Sequence, residues 1–238
     1  MVAFSISEQK VEDVKNWFEN LPWFLIVLGI ACFLSSYVIG VALYTDTIIA
    51  YGDAQSHLNI SKRVVDSITH GMAELGGIWL PIPHLLMAPL VKIEVLYRTG
   101  LAGSIISGIS FVITALYVYR LVVFLTKKKL IGFLAFVIFA TNPNMLYLQA
   151  TPMTETLLIC FFMLSSFYFI KFVSIAIHIK NHEKVAARER NREFLYLIFA
   201  SFFGFCATLT RYDGWFLVLV EGVALVLVYL PFQKYFSV

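Results

Sequence analysis

Residues Trp23 to Tyr44 form a run of about 22 residues without a charged side chain, long enough to cross the roughly 30 Å hydrocarbon core of a bilayer as one helix. In hydrocarbon no water is at hand for the backbone, so each amide must be satisfied within its own segment and the run must be helical. It is longer than a signal-peptide core and no clear small-x-small cleavage site follows it, so it reads as a retained signal anchor. Further apolar runs follow at Ser104–Leu125, Leu130–Leu148, Leu157–Ile177, Phe194–Leu209 and Trp215–Leu230. The expectation is an all-α polytopic membrane protein with about six transmembrane helices. Composition agrees: 60% of the 238 residues are apolar and only 14% charged, whereas a soluble domain carries about a quarter charged. A water-soluble enzyme is excluded.

The net charge is +3, and the basic residues flank the apolar runs instead of forming a stripe, so nucleic acid is not an expected partner. Cys32, Cys160 and Cys206 each lie inside an apolar run without CxxC spacing and read as small core residues. Residues 1–22 are expected to form a cytoplasmic interfacial helix, with Val11, Val14, Phe18 and Leu21 at helical spacing after a Ser5-x-x-Glu8 capping pair. Residues 23–238 form the transmembrane domain.

Orientation follows from the bases. With the N-terminus inside, 13 of the 18 lysines and arginines fall on the inner side, among them Lys127, Lys128, Lys129 and the charged segment His182 to Arg192, as the positive-inside rule requires. One long loop, about 45–103, then lies outside, predicted to contain juxtamembrane helices. It is joined on that face by the turns Asn142–Glu155 and Thr210–Gly214. Pro143 within Asn142-Pro143-Asn144 is expected to break the third span. Gly100, Ser104 and Gly108 recur every fourth residue, a small-residue face for close helix packing.

Polar residue types pool on the outer face. Tyr51-Gly52-Asp53-Ala54-Gln55-Ser56-His57-Leu58 opens an amphipathic stretch in which Ala54, Leu58, Ser61, Val65 and Ile68 share one helical face. Asp53 there is either an N-cap or a functional carboxylate, and His57 follows one turn later. In Gly76-Gly77-Ile78-Trp79-Leu80-Pro81-Ile82-Pro83-His84, paired glycines and prolines predict rigid, non-helical backbone with Trp79 at the interface. Glu155 lies at the head of the fourth span, where acid suits the helix dipole or joins Asp53 to bind a metal or polarise a hydroxyl. Arg211, in Thr210-Arg211-Tyr212-Asp213-Gly214-Trp215, offers a guanidinium suited to bidentate capture of phosphate, or to pairing with Asp213 or a lipid headgroup.

Two charges fall within spans. Glu221 lies about 9 Å in from the outer side and Lys171 about 21 Å, counted at 1.5 Å per residue from Trp215 and Leu157. Direct pairing is therefore not expected; Lys171 can snorkel inward, and Glu221 needs another partner or a proton and is a candidate for lining a substrate groove.

The order of these segments, GDAQSHL, then WLPIPH, then NPNMLYLQATPMTE, then LTRYDGW, resembles the N-terminal half of membrane glycosyltransferases of the GT-C superfamily. Nearest in pattern are the dolichyl-phosphate-mannose-dependent protein mannosyltransferases and their prokaryotic relatives. The resemblance covers about Trp23 to Leu230 and is strongest in the aspartate after the first span. It implies transfer of a sugar from a polyprenyl-phosphate-linked donor to an acceptor hydroxyl on the outer face, with inversion at the anomeric carbon. Asp53 is then the base or acceptor-orienting residue and Glu155 the second outer acid. Arg211 is the phosphate contact, and His57, Trp79, His84, Tyr212 and Glu221 are substrate contacts. The resemblance leaves open a divalent cation, Mg or Mn, on Asp53 and Glu155. It also implies a prokaryotic cell membrane, and a C-terminal half supplied by a partner chain or a longer protein. Two other readings are weighed against it: a small-solute transporter, which needs charges aligned through the membrane, and a non-catalytic subunit or truncated product.

Overall fold

A computed structural model describes residues 20–181 and 187–229. Among them the chain is helical, with no strand: α1 (Trp23–Tyr44), α2 (Gly52–Asp66), a 3-10 turn (Met72–Leu75), α3 (Pro81–Val91), α4 (Glu94–Thr99), α5 (Leu101–Thr126), α6 (Lys129–Ala140), α7 (Pro143–Gln149), α8 (Glu155–Asn181), α9 (Ala187–Thr208) and α10 (Gly214–Tyr229). By length and composition α1, α5 and α8 can each cross a membrane, and α6 with α7, bent by 65°, makes a fourth crossing if the pair is one span. The fifth and sixth expected spans correspond to α9, whose first turns carry Arg188, Glu189, Arg190 and Arg192, and to the 16-residue α10. The expected interfacial helix lies almost wholly outside the described residues, as do residues 182–186 of the charged segment.

The helices are held by contacts their sequences allow. Phe111, Ala115 and Tyr119 of α5 pack with Val27 and Ala31 of α1 and Phe136 and Ala140 of α6, while Phe169, Phe172 and Ala176 of α8 meet Ala200 of α9. Large apolar side chains also face outward, Phe33, Ile138 and Leu219 among them, as they must where the surrounding solvent is lipid.

The break at Asn142 is built as its residues dictate. Pro143 occupies the first helical position of α7, where a missing amide costs nothing, and the Asn142 Oδ1 accepts from the amides of Asn144 at 3.0 Å and Met145 at 3.2 Å. The chain after α7 then lies on the small-residue face of α5. Ser104 Oγ donates to the Ala150 carbonyl at 2.6 Å and Ser107 Oγ to that of Thr151 at 2.8 Å. A Cβ on Gly103 would lie 2.5 Å from the Pro152 Cα, so only glycine admits this approach. Gly108 makes room for Ser35 of α1, whose hydroxyl donates to Gln149 Oε1 at 2.7 Å.

Three local expectations are corrected. Pro81 to His84 are helical, not irregular: Pro81 starts α3 and Pro83 follows within its first turn, positions whose amides have no intrahelical acceptor. Irregular backbone is confined to residues 76–80. Tyr51, not Asp53, is the N-cap of α2, and Asp53 stands exposed in the first turn. Finally, α2 ends at Asp66, so Ile68 leaves the shared face and is fully exposed.

Candidate functional site

Three chain segments converge at the end of the bundle where α5, α8 and α10 begin. The Ile82 amide at the start of α3 donates to the Leu209 carbonyl at 3.2 Å, and the Tyr212 hydroxyl donates to the Ile78 carbonyl at 2.9 Å. These bonds fasten the 76–84 segment onto the α9–α10 turn. Arg211 in that turn reaches α8: its Nη1 donates to Glu155 Oε1 at 2.8 Å and to Thr154 Oγ1 at 3.1 Å, while Nε donates to Asp213 Oδ2 at 3.1 Å. Between the segments lies a cleft of about 340 Å³ lined by His57, Trp79, His84, Thr154, Arg211 and Tyr212, with Ile78, Leu80, Thr210 and Asp213 completing the wall. That volume is at the small end of the range for ligand pockets.

The two histidines form a directed pair. His84 Nδ1 lies 2.9 Å from the Leu80 carbonyl, which can only accept, so that nitrogen carries the proton. In the neutral ring Nε2 is then an acceptor, and His57 Nδ1, 3.0 Å away, must donate to it. His57 is left with a lone pair on Nε2. Both rings are 1% exposed. Burial above all, opposed by the raising effect of the Leu80 carbonyl and aided by His57, lowers the pKa of His84 to about 4. Burial likewise lowers the pKa of His57, offset in part by Asp53 and reinforced by Arg211. Both imidazoles are therefore neutral at pH 7. Trp79 closes over the pair edge-on, its ring centroid 4.9 Å from that of His57.

The charges are unevenly satisfied. Arg211 is forked between two carboxylates, but its Nη2 has no partner among the described residues. Glu155 Oε2 is buried without a hydrogen-bond partner. Asp53 is exposed, makes no side-chain hydrogen bond among the described residues, and is close enough to act electrostatically on His57. No group of three or more His, Cys, Asp or Glu able to hold a metal ion exists among the described residues, and Glu155 Oε1 is already committed to Arg211. A divalent cation there would have at most the two carboxylates Asp53 and Glu155 from the protein, with water and phosphate oxygens filling the rest of its shell.

Of the candidates read from sequence, His57, Trp79, His84, Arg211 and Tyr212 line the cleft, Glu155 borders it through Arg211, and Asp53 acts on it through His57. Glu221 does not belong to it. It lies in a separate groove of about 410 Å³ lined largely by α9 and α10, and both of its oxygens lie within 3.0 Å of Ser165 Oγ on α8. Lys171 is not its partner, as the depth count expected. Sequence reasoning missed Thr154 and Thr210 in the wall and the direct bond between His57 and His84, 27 residues apart; the one local signal was that Thr154 adjoins Glu155. No protein-family model matches this chain, and no curated protein or solved structure does either.

Proposed function

We propose that this chain is a GT-C-type membrane glycosyltransferase that moves a sugar from a polyprenyl-phosphate carrier to an acceptor hydroxyl at the cleft, on the outer face of a six-span, multi-pass protein whose N-terminus is cytoplasmic. The observation that carries the reading is the assembly, at one end of an apolar helical bundle, of a carboxylate free of hydrogen bonds, two neutral imidazoles and a guanidinium with an unused edge, drawn from three distant segments. Each has a task in such a transfer. Arg211 Nη2 offers two N–H groups to a phosphate oxygen and stabilises the charge the leaving carrier acquires. Asp53 takes the proton of the acceptor hydroxyl as its oxygen bonds to the anomeric carbon and the bond from that carbon to the phosphate oxygen breaks. Attack from the face opposite the departing phosphate inverts the anomeric carbon. His57 Nε2 accepts a hydrogen bond from a sugar or acceptor hydroxyl, and Trp79 and Tyr212 supply the flat walls.

A prokaryotic plasma membrane is the compartment this reading favours, and a further chain or chain segment completes the donor groove. The transporter reading is weaker, because the cleft lies at one end and neither Glu221 nor Lys171 lines it. The test is transfer of radiolabelled sugar from a panel of polyprenyl-phosphate donors by membranes containing the chain, beside an Asp53→Asn variant. Loss of transfer in the variant supports the assignment. Undiminished transfer by Asp53→Asn removes Asp53 from the chemistry.

A further inference from the structure

At the opposite end of the bundle, three cations from two helices gather around shared aromatic rings. Arg120 Cζ sits 5.3 Å and Lys171 Nζ 4.9 Å from the Phe167 centroid; Lys127 Nζ and Lys171 Nζ sit 4.4 and 5.5 Å from that of Phe124. Lys171 is therefore within about 10 Å of both Arg120 and Lys127, about one Debye length at 0.1 M salt. None of the three forms an ion pair with a carboxylate among the described residues. Arg120 and Lys127 are exposed and Lys171 is half-buried, also facing the Tyr196 ring of α9 at 5.3 Å.

Cation–π contact accounts for the attraction of each cation to a ring, on the order of 1 kcal/mol apiece, but not for setting Lys171 between two like charges. The C-terminal dipole of α5 accounts for Lys127, which caps that helix, and fades within one turn. Arg120 lies nearly two turns from the end of α5, and Lys171 stands on a different helix. An anion among them resolves the repulsion. The cluster lies level with the last turns of α5, and Lys171 is 16 residues along α8 from Glu155, about 24 Å from the cleft end. That separation is close to the thickness of a bilayer core and sets the cluster near the headgroups of the far leaflet. The anion in greatest supply at that depth is a lipid phosphate.

We infer that Arg120, Lys127 and Lys171 form a binding site for the phosphate of an anionic phospholipid in the leaflet opposite the cleft. Their cationic groups supply the charge; the Phe167 ring is shared by Arg120 and Lys171 and the Phe124 ring by Lys127 and Lys171. The site is independent of whatever chemistry the cleft performs.

The test uses the full chain purified in neutral detergent, with native mass spectrometry reading bound lipid during titration with phosphatidylglycerol, phosphatidylcholine or inorganic phosphate. The expected result is phosphatidylglycerol binding about tenfold tighter than phosphatidylcholine, lost in Arg120→Gln/Lys171→Gln and kept in Lys171→Arg. A charge-matched control, Arg190→Gln/Arg192→Gln, keeps the preference. Lys127→Gln, at an exposed helix end, keeps the test decisive should the double variant fail to fold, with about threefold weaker binding expected. The inference is overturned by absence of a phosphatidylglycerol preference, by an equal loss in the control, by an unchanged Lys127→Gln, or by millimolar inorganic phosphate displacing the lipid.

Discussion

Replacing Gly103 by alanine tests whether the small-residue face of α5 is what delivers Thr154 and Glu155 to the cleft. The added Cβ would stand 2.5 Å from the Pro152 Cα and 2.8 Å from its Cγ, where ordinary carbon contacts are about 3.5–4.0 Å. A backbone atom cannot rotate away as a side-chain tip can, so residues 150–153 must retreat from α5 by about 1 Å. That retreat stretches the Ser104 bond to the Ala150 carbonyl and the Ser107 bond to that of Thr151, now 2.6 and 2.8 Å. Overpacking costs about 1–3 kcal/mol, and the two weakened bonds add about 1 kcal/mol more. The expected total is about 3 kcal/mol, read as a lowered unfolding midpoint in detergent. Gly29→Ala and Gly40→Ala are the controls, since an added Cβ there meets nothing within 4 Å; both should leave the midpoint within the scatter of surface substitutions. Because Glu155 follows the displaced segment directly, transfer activity should fall by more than the folded fraction does. A Gly103→Ala protein as stable as Gly29→Ala would refute the seating of this segment, and normal stability with normal activity would refute its link to the site.

Acid should loosen the cleft in a defined window. His84 has a folded pKa of about 4 against an ordinary 6.5, so between those values the unfolded chain binds the extra proton and stability falls as pH falls; the loss approaches about 3 kcal/mol and levels off below pH 4. A stability profile flat from pH 7 to 4.5 in wild type, or unaltered by His84→Gln, would contradict a buried neutral pair. Arg211→Lys keeps the charge but cannot span Glu155, Thr154 and Asp213 at once, so transfer should drop about 10- to 100-fold with little loss of stability; unchanged initial rates would remove Arg211 from the site. Ser35→Ala orphans the buried Gln149 Oε1 and should cost about 1–3 kcal/mol by thermal unfolding, whereas Ser56→Ala, which loses only an exposed bond to the Gly52 carbonyl, should cost well under 1 kcal/mol.

What could be read from the sequence was what depends on one stretch of chain. The α1 helix needed only an uncharged run of sufficient length, and the break before α7 needed only Asn142 and Pro143. Proline misled where its position within a helix mattered more than its presence: Pro81 and Pro83 sit in the first turn of α3, where they are harmless. The residue types of the site were legible because carboxylate, imidazole and guanidinium gathered in the expected loops. Their pairing was not. That His57 donates to His84 depends on α2 packing against α3, and that Arg211 serves Glu155 and Asp213 together depends on the path of the α9–α10 turn. Periodicity within a segment carries no information about either.

The energetics of the histidine pair bear on why it is there. Two apolar side chains of similar volume would fill the space between α2 and α3 without desolvating four ring nitrogens, so stability alone does not account for the arrangement. What the chain Leu80 carbonyl, His84, His57 does accomplish is to fix a tautomer: one carbonyl orients a proton on His84, and that orientation forces the lone pair onto His57 Nε2. A lone histidine at position 57 would divide between two tautomers and would protonate near pH 6.5. Burial and the relay together give a neutral, oriented acceptor beside an exposed carboxylate, which is of use only if something with a hydroxyl or other donor group enters the cleft.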